Sequence, residues 1–289
     1  MAVVTIILPV YNNEDTVEAC IASIKEQTLT DFECIIVNDG STDNSLSVIN
    51  KSIQDDSRFT LIDSMHKGLS TARNIGIRNA TSPIIMYIDA DDLALPMMMH
   101  QAVTFLNTYD LDMMIFDAEP FNCDVSPLKY KGEQKYFTRR KDYGISTGKE
   151  YIYNMLKNRD YVYAVFIQAI RKNKIKYKFY PKMRAQDELY TIQNLYMSNK
   201  VGHLHEVLYK KSCRRASVAN SRQDTCFMWS RLKTLEELIL FAERERIPEE
   251  DIRKIIFPIM KRNLLLLPYV LKNFRPEDLD GIKLLFQNV

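Results

Sequence analysis

The stretch VVTIILPVYNNEDTVEACIASIKEQ, residues 3–27, decides how the chain is to be read. Its opening run VVTIIL (3–8) is apolar and β-branched without a break, the pattern of a strand covered on both faces. Behind it, Val17, Cys20, Ile21 and Ile24 fall at i, i+3, i+4 and i+7. With Asn13 as a capping candidate and acids in the first turn, that spacing predicts an amphipathic helix. Working outward, the cycle recurs. ECIIV (33–37) leads through an Asp39-Gly40 turn to a helix near 44–54, and FTLID (59–63) leads to a helix near 69–79. IIMYI (84–88) precedes a helix after Pro96, and DMMIF (112–116) reads as a further strand. Strands alternating with helices over short connections imply right-handed crossovers, hence an α/β fold with a mostly parallel sheet flanked by helices. In such sheets ligands collect at the carboxyl edge of the strands. Three polar clusters fall on that rim: PVYNN (9–13), NDGSTDNS (38–45) and DADD (89–92).

Composition narrows the classes of function. The 289 residues are 46% hydrophobic, enough for a sizeable core, and 39 basic residues against 37 acidic ones leave a formal net charge of +2. That balance gives no global electrostatic attraction for nucleic acid. The five cysteines are odd in number and form no CxxC pair, so neither a disulfide framework nor a zinc site is indicated. The N-terminus has no basic leader, and no stretch approaches the roughly 20 apolar residues of a spanning helix. A cytoplasmic protein, soluble or peripheral at the inner face of the membrane, is the expectation.

Three aspartates crowd YIDADDLALP (87–96) at the end of an apolar run. If the strand persists, Asp89 and Asp91 point to one side, and their repulsion calls for a positive partner. Oxygen ligands alone suit Mg2+ or Mn2+. An EF-hand loop is excluded, because Ala94 stands where glycine is required and His100 where glutamate is.

Five ordered segments, TIILPVYNNEDTVEACIASIKEQT, FECIIVNDGSTDNS, GLSTARNIGI, YIDADD and QDELYTIQNLY, resemble the family 2 glycosyltransferases of the GT-A fold. The resemblance covers about the first 215 residues. It implies a GT-A glycosyltransferase domain over 1–220, with a nucleotide-sugar half near 1–118 and an acceptor half near 119–220, followed by a C-terminal helical region over 221–289. It also implies transfer of a sugar from a nucleotide sugar, UDP-linked by expectation, to a glycan or lipid-linked saccharide in cell-surface polysaccharide synthesis. Residue by residue, Pro9, Val10 and Tyr11 would flank the base, and Asp39 would accept the uracil N3–H, for which a carboxylate is a suitable acceptor. Arg73 would lie near the nucleotide, Asp91 would hold Mn2+ or Mg2+, Asp89 would touch ribose or metal, and Asp92 is a further candidate ligand.

Asp187 matches the aspartate of the family's Glu-Asp element and would be the general base, the glutamate being replaced by Gln186. The helical spacing of Leu189, Ile192 and Leu195 puts Asp187 at a helix start, with Glu188 pointing about 100° away. Inversion is implied by the resemblance. Arg214, Arg215 and Ser217 are candidates beside the diphosphate, with a solvated basic segment as the other reading; His203 and His205 read as structural.

Two other classes share parts of this pattern. A haloacid-dehalogenase-type phosphatase would want Thr or Val where Leu93 stands, and would open on its nucleophile strand. A non-catalytic sugar-nucleotide or carbohydrate-binding module is hinted at by Gln186 and opposed by Asp89, Asp91 and Asp187. At the C-terminal end, FPIMKRNLLLLPYVLKNF (257–274) places an apolar patch between basic residues, which suits an anionic lipid surface. A core-packing or dimer-forming helix is the alternative.

Overall fold

A computed structural model describes residues 2–121, 137–183, 186–213 and 225–272. The alternation read from the sequence is its framework. Strand β1 (Val4–Val10), buried along its whole length, runs parallel to β2 (Phe32–Asp39) on one side and β4 (Ile84–Tyr87) on the other. β3 (Phe59–Ser64) extends this parallel half beyond β2. Helices α1 (Val17–Lys25), α2 (Ser45–Ile53), α3 (Leu69–Asn79) and α4 (Met98–Thr108) are the connections. The other half is mixed. It contains β5 (Leu93–Ala94), β6 (Met113–Phe121), β7 (Ile145–Ser146), β8 (Gln168–Arg171) and β9 (Val201–Ser212). The sheet order is β3-β2-β1-β4-β8-β6-β9-β5, with β7 pairing β9.

Two local expectations give way. Thr16, not Asn13, is the residue before α1, and it makes no side-chain cap; the Asn13 carbonyl instead closes a turn by accepting from Thr16 and Val17. The second concerns the acids. β4 ends at Tyr87, and the Asp92 N–H donates to the Asp89 carbonyl at 3.0 Å, so the three aspartates sit on a tight turn rather than alternating along a strand.

The segment after β6 carries α5 (Gly148–Lys157), opened by a Thr147/Glu150 capping box, and β8. α6 (Gln186–Tyr196) follows and is buried over most of its length. α7 (Thr225–Arg244) and α8 (Phe257–Lys272) then pack beside it, with Leu238, Phe241, Ile255, Ile256 and Ile259 in the core. Among the described residues no helix is long and apolar enough to cross a membrane.

Two glycines matter to the placement of the rim. Gly40 has φ +68°, and a Cβ there would lie 2.6 Å from the His66 amide nitrogen, so the Asp39-Gly40 turn admits little else. Gly76 lets α3 settle on β1: an added Cβ would stand 2.4 Å from Ile7 Cγ2. Gly76→Ala should therefore destabilise the protein by ~1–3 kcal/mol, the usual cost of overpacking, measured by urea denaturation. Helix propensity alone predicts a gain, and a more stable variant would refute this account of the packing.

Candidate active site

The rim is built by four turns. After β1, Tyr11 exposes its ring and stacks on His66, with centroids 4.1 Å apart at 29°. Pro9 and Val10 are buried within β1, so of the three residues predicted to flank a base Tyr11 is the one that offers surface. At the end of β2, Asp39 is nearly fully buried and its two carboxylate oxygens accept the Lys67 and Gly68 amides at 2.8 Å each. His66 Nδ1 lies 2.9 Å from the same carboxylate. Asp39 thus fastens the loop that carries His66: its Oδ2 takes both the Gly68 amide and His66, while Oδ1, with the Lys67 amide, keeps a lone pair for a further donor.

Arg73 comes from α3 and is 1% exposed. Its Nη2 is 2.7 Å from Asp89 Oδ1 and its Nη1 is 2.6 Å from Asp187 Oδ1. One planar fork therefore joins the acidic turn to the start of α6. The guanidinium rests 5.2 Å from the Phe179 ring, which stacks on Tyr190 at 3.9 Å. Asn74, beside it, exchanges two hydrogen bonds with the Phe179 backbone. Burial would lower the pKa of Arg73, but the Asp187 and Asp89 charges outweigh burial and raise it.

The acidic turn meets a cation that the sequence reading did not single out. Lys211 Nζ lies 2.9 Å from Asp92 Oδ2, 3.3 Å from Asp89 Oδ2 and 3.7 Å from Asp91 Oδ1. Asp92, a candidate metal ligand by sequence, is 0% exposed, and Tyr209 Oη, Lys211 Nζ and the Ser212 amide all donate to it. Ionising a carboxylate that deep costs several kcal/mol, and burial pushes the Asp92 carboxyl up to about 7 despite Lys211. It is an anchor for the turn, with its oxygens already engaged. A signal for Lys211 did exist. In a strand Tyr209 and Lys211 share a face, while Lys210 takes the other, where it pairs with Glu119.

Burial also opposes ionisation of Asp89, yet Lys211 and Arg73 hold its carboxyl below the usual range. For Asp187 the balance tips the other way, and burial lifts its carboxyl above the usual value against the pull of Arg73. Gln186, where the family's glutamate would stand, is buried and accepts a hydrogen bond from Ser70 Oγ. Glu188 is buried on a different face of α6, where its Oε2 is 2.8 Å from Arg231 Nη1 and accepts from Asn263. His203 lies within a buried cluster with Asp117 and Tyr143, and His205 reaches the Arg139 carbonyl. Arg214, Arg215 and Ser217 fall outside the described residues.

A divalent cation fits this site in one way. Among the described residues no three His, Cys, Asp or Glu side chains are placed to hold a metal by themselves. Asp91 is the acid of the turn least engaged, its one described ion pair being the 3.7 Å approach of Lys211. Mg2+ commonly takes one or two carboxylates and completes its shell with substrate phosphates and water; Asp91 suits that role.

A family model described as Glycosyl transferase family 2 matches residues 5–175. The chain is similar to the uncharacterized glycosyltransferase YibD of Escherichia coli K12, 30% identical over 221 residues, which cover 74% of this chain and 62% of that protein. It is also similar to the uncharacterized glycosyltransferase EpsJ of Bacillus subtilis 168, 44% identical over 89 residues, covering 31% and 26%. The chain thus matches less than two thirds of either relative. Among solved structures, S. aureus TarS 1-349 in complex with UDP-GlcNAc aligns with a TM-score of 0.65 at 19% identity, over 83% of this chain and 67% of that one. The mannosyltransferase PcManGT of Pyrobaculum calidifontis, in complex with GDP-Man and Mn2+, aligns with a TM-score of 0.59 at 17% identity, over 93% and 73%. At those identities the likeness is one of fold, GT-A.

Replacing Arg73 by methionine strands two carboxylates. The expected cost is about 3 kcal/mol, the low end for a broken buried pair because both acids keep partial exposure. The sign with pH follows from the acids: without Arg73 both folded-state pKa values rise, so stability is lost as pH increases. Urea denaturation of Arg73→Met should show a larger deficit at pH 8 than at pH 5; an equal deficit at both would contradict the pairing.

Proposed function

Because the chain belongs to glycosyl transferase family 2, we propose that it moves a sugar from a UDP-sugar to a hydroxyl of a glycan or lipid-linked saccharide, with inversion, in cell-surface polysaccharide synthesis. The observation that carries this reading is the Asp89–Arg73–Asp187 bridge. It sets an acid of the donor end and a candidate base within 2.7 Å of the same guanidinium. Solved neighbours in complex with UDP-GlcNAc and GDP-Man support a nucleotide-sugar donor.

In this reading Tyr11 and His66 form the platform for the base, and a lone pair of Asp39 accepts its N–H. Arg73 and Lys211 turn their charge toward the diphosphate, where negative charge grows as the anomeric bond breaks. Asp91 would hold Mn2+ or Mg2+, which when bound supplies further charge stabilisation of the departing diphosphate. Asp187 takes the proton of the attacking hydroxyl. Its Oδ1 is held by Arg73, which fixes the carboxylate's orientation, and its raised pKa improves it as a proton acceptor. One base and direct displacement give inversion.

The central test separates binding from chemistry. Asp187→Asn should keep UDP affinity nearly unchanged and reduce transfer by at least ~10²-fold, as when only a general base is lost. UDP affinity measured by calorimetry should fall with EDTA or with Asp91→Ala. Wild-type transfer by Asp187→Asn would remove the base assignment, and metal-indifferent UDP binding would remove the metal.

Where the acceptor is met bears on α8. Its inner face is buried through Ile259 and Asn263, while Phe257, Leu264 and Leu265 are exposed at 60%, 49% and 68%. We assign that outer face, with Lys261 on it, to an anionic membrane surface carrying a lipid-linked acceptor. The full chain should sediment with phosphatidylglycerol liposomes at low salt and be released at high salt. Leu264→Glu with Leu265→Glu should abolish sedimentation without lowering the melting temperature. A full-length protein that ignores these liposomes at every ionic strength would overturn the membrane assignment in favour of a soluble acceptor or a protein partner that brings the lipid.

A further inference from the structure

We propose that Lys211 is the resident counter-cation of the acidic turn, and that it keeps divalent metal out of the site until a donor diphosphate arrives. The inference rests on Asp91 as the metal ligand. Lys211 does not merely pass near the turn. Its Nζ reaches all three carboxylates, at 2.9 Å from Asp92, 3.3 Å from Asp89 and 3.7 Å from Asp91. Its side chain is 16% exposed. A ring wall closes the seat: Nζ is 5.1 Å from the centre of Phe166, which stacks on Tyr209 at 4.8 Å. Tyr209, two residues back on the same strand, donates to Asp92 at 2.6 Å and so fixes the strand against the turn.

A metal held by Asp91 would have to share that carboxylate with an ammonium already 3.7 Å from its Oδ1. Two like charges would then share one set of carboxylates in a poorly solvated place, with Asp89 and Asp92 already committed to Arg73, Lys211, Tyr209 and the Ser212 amide. The free protein should therefore bind metal weakly. A nucleoside diphosphate changes the balance, because its oxygens offer ligands to the metal and an acceptor to Lys211 at once. Metal and nucleotide then enter together, and by linkage each raises the other's affinity by the same factor.

The test reads Mn2+ directly. Loss of the free-Mn2+ electron paramagnetic resonance signal gives metal affinity with and without UDP, after subtraction of a UDP-only titration. The wild type should bind Mn2+ at least ~10-fold more tightly with UDP than without, within the usual range of site coupling. Lys211→Met should bind Mn2+ without UDP at least ~10-fold more tightly than the wild type does. Adding Asp91→Ala should erase that gain, and Lys211→Arg, which keeps the charge, should behave as wild type. Lys211→Gln replaces the methionine variant if circular dichroism shows that the latter does not fold. UDP-free Mn2+ affinity in Lys211→Met or Lys211→Gln equal to wild type overturns the inference while leaving Asp91 as a ligand. A wild type that binds no Mn2+ even with UDP overturns the metal reading and this inference with it.

Discussion

A single guanidinium holds the site together. Arg73 is reached from α3, bonds Asp89 on the turn after β4, and bonds Asp187 at the head of α6. Among the described residues no other ion pair joins these elements, though Ser70 of α3 also bonds Gln186 of α6. The ion pairs are weak grounds for stability in themselves, since desolvating three charges cancels much of their attraction. Their effect is registration. Phe179 and Tyr190 form a shelf beneath the guanidinium, and Tyr190 Oη closes on Tyr87 Oη at 2.6 Å. Moving any one of these three elements would strand a buried charge, which costs more than losing an apolar contact.

What could be read from the sequence follows from range. The strand and helix periods of residues 3–116 are local properties, and β1 to β4 with α1 to α4 lie close to where the periods put them. The Asp39-Gly40 turn was legible for the same reason. Partners across the fold were not. DADD announces three charges needing compensation, but nothing nearby reveals that Lys211 and Tyr209, 120 residues further on, supply part of it. The alternation argument for Asp89 and Asp91 also failed locally, because β4 stops at Tyr87 and a hydrogen-bonded turn takes over. In the mixed half β6 was legible as DMMIF, but β5, β7, β8 and β9 escaped a sequence reading because they pair across long separations, β8 with both β4 and β6.

Electrostatics divides the four acids by what they face. Asp92 has three donors and no exposure, so it works as a fastening. Asp89 is held low by two cations and stays ionised. Asp187 has one cation against its desolvation, which leaves it raised. Asp91 is left with the longest ion pair of the turn and the freest oxygens. Four identical side chains acquire different chemistry because the protein distributes two cations unequally among them.

The neighbouring residues Asp187 and Glu188 tie the C-terminal helices to the site. On a helix they point about 100° apart. Asp187 faces the rim and Arg73, whereas Glu188 faces the bundle, bonded to Arg231 of α7 and Asn263 of α8. Arg231 also donates to Asn263 at 2.8 Å, which closes a buried triangle. The first turn of α6 is therefore pinned from both sides by charged contacts, one to the parallel half of the sheet and one to the terminal helices. Helix ends fray readily. Here a rotation that loosened Asp187 from Arg73 would also drag the Glu188 carboxylate out of its buried triangle. The orientation of the candidate base thus depends on residues more than forty positions downstream, and the helical extension acts as a brace for the site.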